Sequence, residues 1–141
     1  TWYLTGVQFE LGSSANDYSH ISVGDELLRC QRYFYVLAKG RDDGERPISL
    51  MTYENGSRVT TIVRHPVRPR ATPTLTAANA TNAFTIRRTD ASDSFDTITQ
   101  RYADYEATEL TQGSGVSGTG GDTGMFRTTT SASYIYMSAE L

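Results

Sequence analysis

The sequence predicts a mostly β fold: an antiparallel β-sandwich or barrel-like sheet with one short N-terminal helix. Three observations carry that expectation. Short runs rich in β-branched and aromatic residues recur at roughly 8–12-residue spacing, as strands do in sandwiches and barrels. Asn55-Gly56 stands between two such runs and marks a hairpin. Thr and Ser supply 33 of the 141 residues, which suits solvated strand faces.

Each element has its own local reason. TWYLTGVQFELG (1–12) alternates Val7, Phe9 and Leu11 with Gln8 and Glu10, the period of a half-buried strand. SSANDYSH (13–20) is a polar connection. Residues 1–20 therefore read as a terminal strand with its linker, and 21–141 as a β-rich domain. The chain begins with Thr1 and reads as the end of something longer or as a processed product. Ser22 offers a helix N-cap with Asp25 three residues on, a weaker relative of the capping box. Leu27, Cys30 and Phe34 follow at helical spacing and predict an amphipathic helix of about two to three turns.

YFYVLAK (33–39) then has strand propensity, and GRDDGE (40–45) reads as a turn. PISLMTYE (47–54) and SRVTTIVRH (57–65) form the hairpin around Asn55-Gly56. PVRPRATPTLTA (66–77) holds Pro66, Pro69 and Pro73, a density that fits an edge or a crossover. AFTIRR (83–88), FDTITQRY (95–102), DYEATELT (104–111), MFRTTT (125–130) and SYIYMSAEL (133–141) complete the strands.

Composition bounds the function. Hydrophobic residues are 38% of the chain, so the core is thin and the chain is expected to bury surface against copies of itself. A net charge of −3 argues against nucleic-acid binding. Twelve Arg stand against a single Lys, Lys39, and Arg is the cation that tolerates desolvated interfaces. Cys30 is alone, which excludes an intrachain disulfide and a cysteine zinc site. No run of about 18 apolar residues exists to span a membrane.

Motifs for chemistry are weak. GSGVSG (113–118) matches G-x-G-x-x-G, but TGGDTG follows it where a dinucleotide site needs a helix. The run 112–124 reads instead as a flexible loop between strands. His20 and His65 have no metal-ligand spacing, and no G-x-S-x-G elbow is present. DASDSFD (90–96) lacks the glycine of a calcium loop and reads as Asx turns, with RRTD and RDDGE as surface charge. The expectation is a non-enzyme with no cofactor and no metal.

Two longer patterns remain. Between Arg58 and Arg101 seven Arg oppose three Asp, and from Tyr102 to Leu141 one Arg opposes five acids. In a homo-oligomer such an asymmetry sets one subunit's basic strands against its neighbour's acidic ones. GVQFELGSSANDYSH followed by GDELLRCQRYFY resembles a junction in bacteriophage tail-fibre and related virion proteins. In that family the last strand of a carbohydrate-binding-module-like jelly roll enters a C-terminal domain through a C-Q-R-Y-Y-like helix. The counterpart here is Cys30, Gln31, Arg32, Tyr33 and Phe34, with Phe in the last place. HPVRPRATPTLT (65–76) is similar to the family's Pro-x-x-Met-Arg-x-x-Pro-Thr strand at Pro66, Arg70, Pro73 and Thr74, and departs from it at Pro69. YIYMSAEL (134–141) resembles the family's Ala-Glu-Leu ending.

The resemblance implies a distal fibre domain in the virion, following an upstream jelly-roll-like domain whose last strand is 1–20. It implies a homotrimer, with itself, other virion proteins and a host-surface glycan or protein as partners, and neither nucleic acid nor membrane insertion. A capsid decoration protein of the same fold and a sugar-binding module appended to an upstream enzyme are the other readings. Candidate subunit-interface residues are Leu27, Arg29, Arg32 and Tyr33, together with Phe34, Arg64 and Arg70. Candidate ligand contacts are Tyr102, Tyr105, Asp122 and Thr123, with Tyr134 and Tyr136 as further exposed-aromatic candidates.

Overall fold

A computed structural model of the chain describes residues 7, 11–14, 17 and 20–140. The expected N-terminal strand falls almost wholly outside the described residues. Helix α1 (Val23–Gln31) begins as its sequence predicts: Ser22 Oγ accepts from the Asp25 backbone N–H at 3.1 Å and donates to the Asp25 carboxylate at 2.8 Å. The helix stops after Gln31, and strand β1 (Phe34–Lys39) starts three residues later. Phe34 therefore leaves the helical stripe and takes its place from the strand.

Ten strands follow the helix. They are β1, β2 (Arg46–Asn55), β3 (Arg58–Arg64), β4 (Thr74–Ala77), β5 (Phe84–Arg87), β6 (Ser92–Phe95), β7 (Thr99–Ala103), β8 (Ala107–Gln112), β9 (Thr123–Thr128) and β10 (Tyr134–Ser138). All pairings are antiparallel, in two sheets: β1-β10-β4, and β6-β5-β9-β2-β3-β8-β7. The proline-rich segment carries the chain from β3 of the large sheet to β4, an edge strand of the small one, where missing N–H donors cost nothing.

The two sheets enclose the core. Strand alternation sends Met51, Tyr53, Val59, Phe84, Ile86, Phe95, Leu110 and Phe126 inward from the large sheet, to join Ile135 of the small one in a single core. Phe84, Phe95 and Phe126 form an aromatic centre with ring centroids 5.7–6.0 Å apart. At one margin the Gln100 side chain stitches the sheets together, donating to the Pro73 carbonyl and accepting from the Leu75 N–H, both at 2.8 Å. At Gly40 a side chain has no room, since its Cβ would collide with the Thr130 carbonyl.

The threonine-rich composition finds its place on the outer face of the large sheet. Thr123, Thr52, Thr60, Thr111 and Thr99 lie opposite one another in a row across five adjacent strands.

The Asn55-Gly56 hairpin forms as expected, with neither residue at positive φ. Asn55 closes it by accepting from the Ser57 N–H at 3.0 Å. Two local expectations are corrected. DASDSFD is not a free loop of Asx turns: 92–95 is β6, paired with β5. The glycine-rich run is not a loose tip either. Val116 is buried, Gly118 donates to the Gly56 carbonyl at 3.1 Å, and Gly121 donates to the Tyr53 carbonyl at 2.8 Å.

Candidate functional site

An apolar face is left uncovered at the corner of α1 and β1. The helix is amphipathic by sequence, yet none of its residues is buried. Leu27 is 55% exposed and Val36 50%, and Leu28, Tyr33 and Phe34 are exposed beside them. β1 is an edge strand, so one side of its backbone carries no partner strand. Between helix and edge lies a groove of about 640 Å³ lined by Leu27, Cys30, Phe34, Val36, Arg64 and Pro66 among others. Leu27, Cys30 and Phe34, the apolar stripe of the sequence, all line this groove.

The seven interface candidates gather here. Leu27, Phe34 and Arg64 line the groove. Arg29 and Tyr33 flank it in an adjoining hollow that shares Cys30. The Arg70 guanidinium lies 5.4 Å from the centre of the Tyr33 ring, and its backbone N–H donates to the Arg32 carbonyl at 2.8 Å.

Six arginines are matched within the chain: Arg58 and Arg101 with Glu54, Arg87 and Arg127 with Glu45, Arg88 with Asp93 and Asp122, and Arg41 with Asp43. Among the described residues Arg29, Arg32, Arg46, Arg64, Arg68 and Arg70 form no such ion pair; Arg29, Arg32, Arg64 and Arg70 lie at the corner, Arg46 is on β2, and the Arg68 guanidinium lies 5.0 Å from the Tyr105 ring centre. The sequence expectation that RRTD is surface charge is thereby corrected. The Arg88 side chain is only 17% exposed and lies 4.7 Å from the Tyr53 ring centre. It donates to the Asp122 carboxylate at 3.1 Å and to the Ser117 carbonyl at 2.8 Å, which locks the glycine-rich loop down. Gly118 allows this, because a Cβ there would press on Tyr53 at 2.5 Å and on Arg88 at 2.9 Å.

Tyr35 forms one wall of the groove and ties the two sheets together. Its hydroxyl sits 2.6 Å from His65 Nδ1, and His65 Nε2 is 3.2 Å from the Asp104 carbonyl. A phenol that donates to Nδ1 leaves the proton on Nε2, where it serves the carbonyl. Burial pushes the Tyr35 phenol up from 10.0 to about 12. The folded phenol holds its proton more tightly than the unfolded one, so its contribution is complete below pH 10.0 and is lost as pH rises through about 12. Melting temperatures measured from pH 9 to 12 are expected to fall over that window, and Tyr35→Phe is expected to flatten the fall. A residual slope remains from Tyr53, whose phenol is also raised, by burial first and then by its bond to Asp93.

The ligand-contact candidates do not come together. Tyr102 and Tyr105 lie in and after β7, at one end of the large sheet. Asp122 and Thr123 line a polar hollow with Arg88, Thr89, Asp90 and Ala91, near β5 at the other end. Tyr134 and Tyr136 are half-buried on the outer face of the small sheet, stacked on each other at 4.7 Å, with Phe34 5.6 Å from Tyr136. The Arg88 and Tyr35–His65 clusters were not foreseen, since all but one of the contacts that define them join residues 24 to 40 apart in sequence, and Asp93, five residues from Arg88, meets it only through the pairing of β5 with β6.

Among the described residues no group of three or more His, Cys, Asp or Glu is placed to hold a metal ion, and no helix is long and apolar enough to cross a membrane. Comparison with protein-family models, curated proteins and solved structures gives no match.

Proposed function

We propose that this chain is the distal domain of a bacteriophage tail fibre, a non-enzymatic structural protein that assembles as a homotrimer and attaches the virion to a host-surface glycan or protein. The observation that carries the reading is the uncovered corner of α1 and β1. A nine-residue amphipathic helix with no buried residue does not hold its place by propensity alone, because helices this short draw their stability from packing. A covering partner supplies that packing.

The chemistry of the corner favours an identical chain as the cover. Its basic rim of four arginines without ion-pair partners, Arg29, Arg32, Arg64 and Arg70, calls for an acidic surface, and Glu106 and Glu140 are exposed acids of the C-terminal segment. One surface meeting a different surface is a heterologous contact, which closes into rings such as trimers. The tail-fibre resemblance in Cys30–Phe34, 65–76 and 134–141 supports the same assembly and supplies the virion context.

The test has two parts. Multi-angle light scattering across a concentration series is expected to give three chains per particle. Fluorescently labelled protein is expected to adsorb to intact bacterial cells and not to phage capsids. A monomer at every concentration, or adsorption to capsids alone, would count against the reading.

A further inference from the structure

The second place where the fold presents an unusual side chain is β7. A bulge after Gln100 sets both Arg101 and Tyr102 opposite Glu109 of β8. A bulge of this kind turns two consecutive side chains to the same face. Arg101 is held in turn, donating to Glu54 at 2.6 Å and to Glu109 at 3.2 Å. Its guanidinium lies 5.3 Å from the Tyr102 ring centre and braces it. The ring is nevertheless 64% exposed, on an edge strand.

Around the ring is a shallow hollow of about 230 Å³ lined by Ile62, Tyr102, Ala103, Asp104, Ala107 and Glu109. Its floor is apolar, its wall is an aromatic face, and its rim carries two carboxylates. Asp104 uses one oxygen to accept from the Glu106 and Ala107 N–H groups at 2.7 and 2.8 Å, which fixes the carboxylate. Glu109 is fixed by Thr60 at 3.0 Å and by Arg101.

We infer that this hollow is a subsite for one neutral pyranose ring of a surface glycan. A pyranose has an apolar C–H face that packs on an aromatic ring and a periphery of vicinal hydroxyls that donate to carboxylates. The two carboxylates disfavour uronic and other acidic sugars by like-charge repulsion. A single ring bound this way is weakly held, and three copies on one fibre tip convert weak sites into firm attachment. The inference rests on the adhesive reading above and names the ligand class that this reading leaves open.

Saturation-transfer NMR on the intact protein tests it, with the methyl glycosides of glucose, galactose and mannose, then glucuronate and choline as probes. At least one neutral glycoside is expected to bind with millimolar affinity. Tyr102→Ala is expected to weaken it about tenfold, the loss of one ring contact, whereas Tyr102→Phe stays within about twofold. Glucuronate is expected to bind more weakly than the matched neutral sugar, with the gap narrowing as salt is added.

Choline binding in preference to every sugar would overturn the inference, since a tyrosine with two carboxylates would then be a cation site. So would unchanged affinity in Tyr102→Ala, or no neutral glycoside bound at all. If glycosides fail while the protein remains trimeric and still adsorbs to cells, the subsite falls and the adhesive reading stands. If adsorption fails as well, both fall.

Discussion

Replacing Leu27 by lysine is expected to release the chain from the proposed trimer while leaving its fold intact. In the single chain Leu27 is 55% exposed, so the substitution costs the monomer little, within about 0.5 kcal/mol for a surface position. The same side chain lines an apolar groove, which a neighbouring chain covers in the proposed trimer. Loss of leucine burial costs about 2 kcal/mol at each contact. The buried, unpaired ammonium adds at least about as much again. Three such contacts in a trimer weaken association by more than about a thousandfold. Sedimentation velocity reports the mass and far-ultraviolet circular dichroism the fold. Leu27→Met, which keeps volume and polarity class, is expected to stay trimeric. A Leu27→Lys chain that sediments with the wild type would remove α1 from the interface.

The second large effect lies in the core. Phe126→Ala is expected to destabilise each subunit by about 3–5 kcal/mol, the range for truncating a buried aromatic. Phe126 is fully buried and touches both Phe84, at 5.7 Å, and Phe95, at 5.9 Å, so the cavity opens at the centre of the large sheet. The surrounding strands are held by ladders on both sides of β9 and cannot collapse into it. Since domains of this size hold only about 5–15 kcal/mol in total, the variant sits near the threshold of folding. Urea unfolding with Leu27→Lys as the background isolates this term from assembly. A lowered midpoint at unchanged slope is the expected result.

These two substitutions mark where the sequence was legible and where it was not. Phe126 and its inward neighbours follow from alternation alone, as do the capped helix, the hairpin and the proline-rich crossover. Those features are set by residues within a few positions of one another. The aromatic candidates Tyr134 and Tyr136 were legible as a shared face, but only the structure shows that this face lies outside the small sheet, against Phe34. Arg88 illustrates the opposite case. Nothing in RRTD distinguishes it from Arg87, yet Arg87 is exposed and pairs with Glu45 while Arg88 turns toward the Tyr53 ring. Its partners Tyr53, Asp93, Ser117 and Asp122 meet only once β2, β5, β6 and the loop before β9 are assembled. The same holds for β6, whose run of Ser and Asp has no strand signature and is a strand because β5 offers it an edge.

The division among the arginines belongs to neither class. The sequence showed their abundance and their crowding between Arg58 and Arg101, but most of that stretch is matched by Glu54, Glu45, Asp93 and Asp122. What the fold leaves over, apart from Arg46 on β2 and Arg68 beside Tyr105, is a smaller and more pointed set around α1 and β1: Arg29, Arg32, Arg64 and Arg70. That remainder, beside an uncovered apolar groove, is why the corner and not the broad outer face of the large sheet is assigned to assembly. Leu50, Met125 and Ile62 are also exposed there, Leu50 opposite Met125 and Ile62 opposite Glu109, which Arg101 matches, but among the described residues no comparable groove and no unmatched arginine cluster accompanies them.

The central claim is that identical chains cover this corner. Hydrogen exchange of α1 amides, followed by mass spectrometry above and below the concentration at which the particle dissociates, tests it most directly. Protection of 23–31 that appears only in the assembled form, together with a particle mass of three chains, is the predicted result. Equal and rapid exchange of the helix in the assembled and dissociated forms would contradict it.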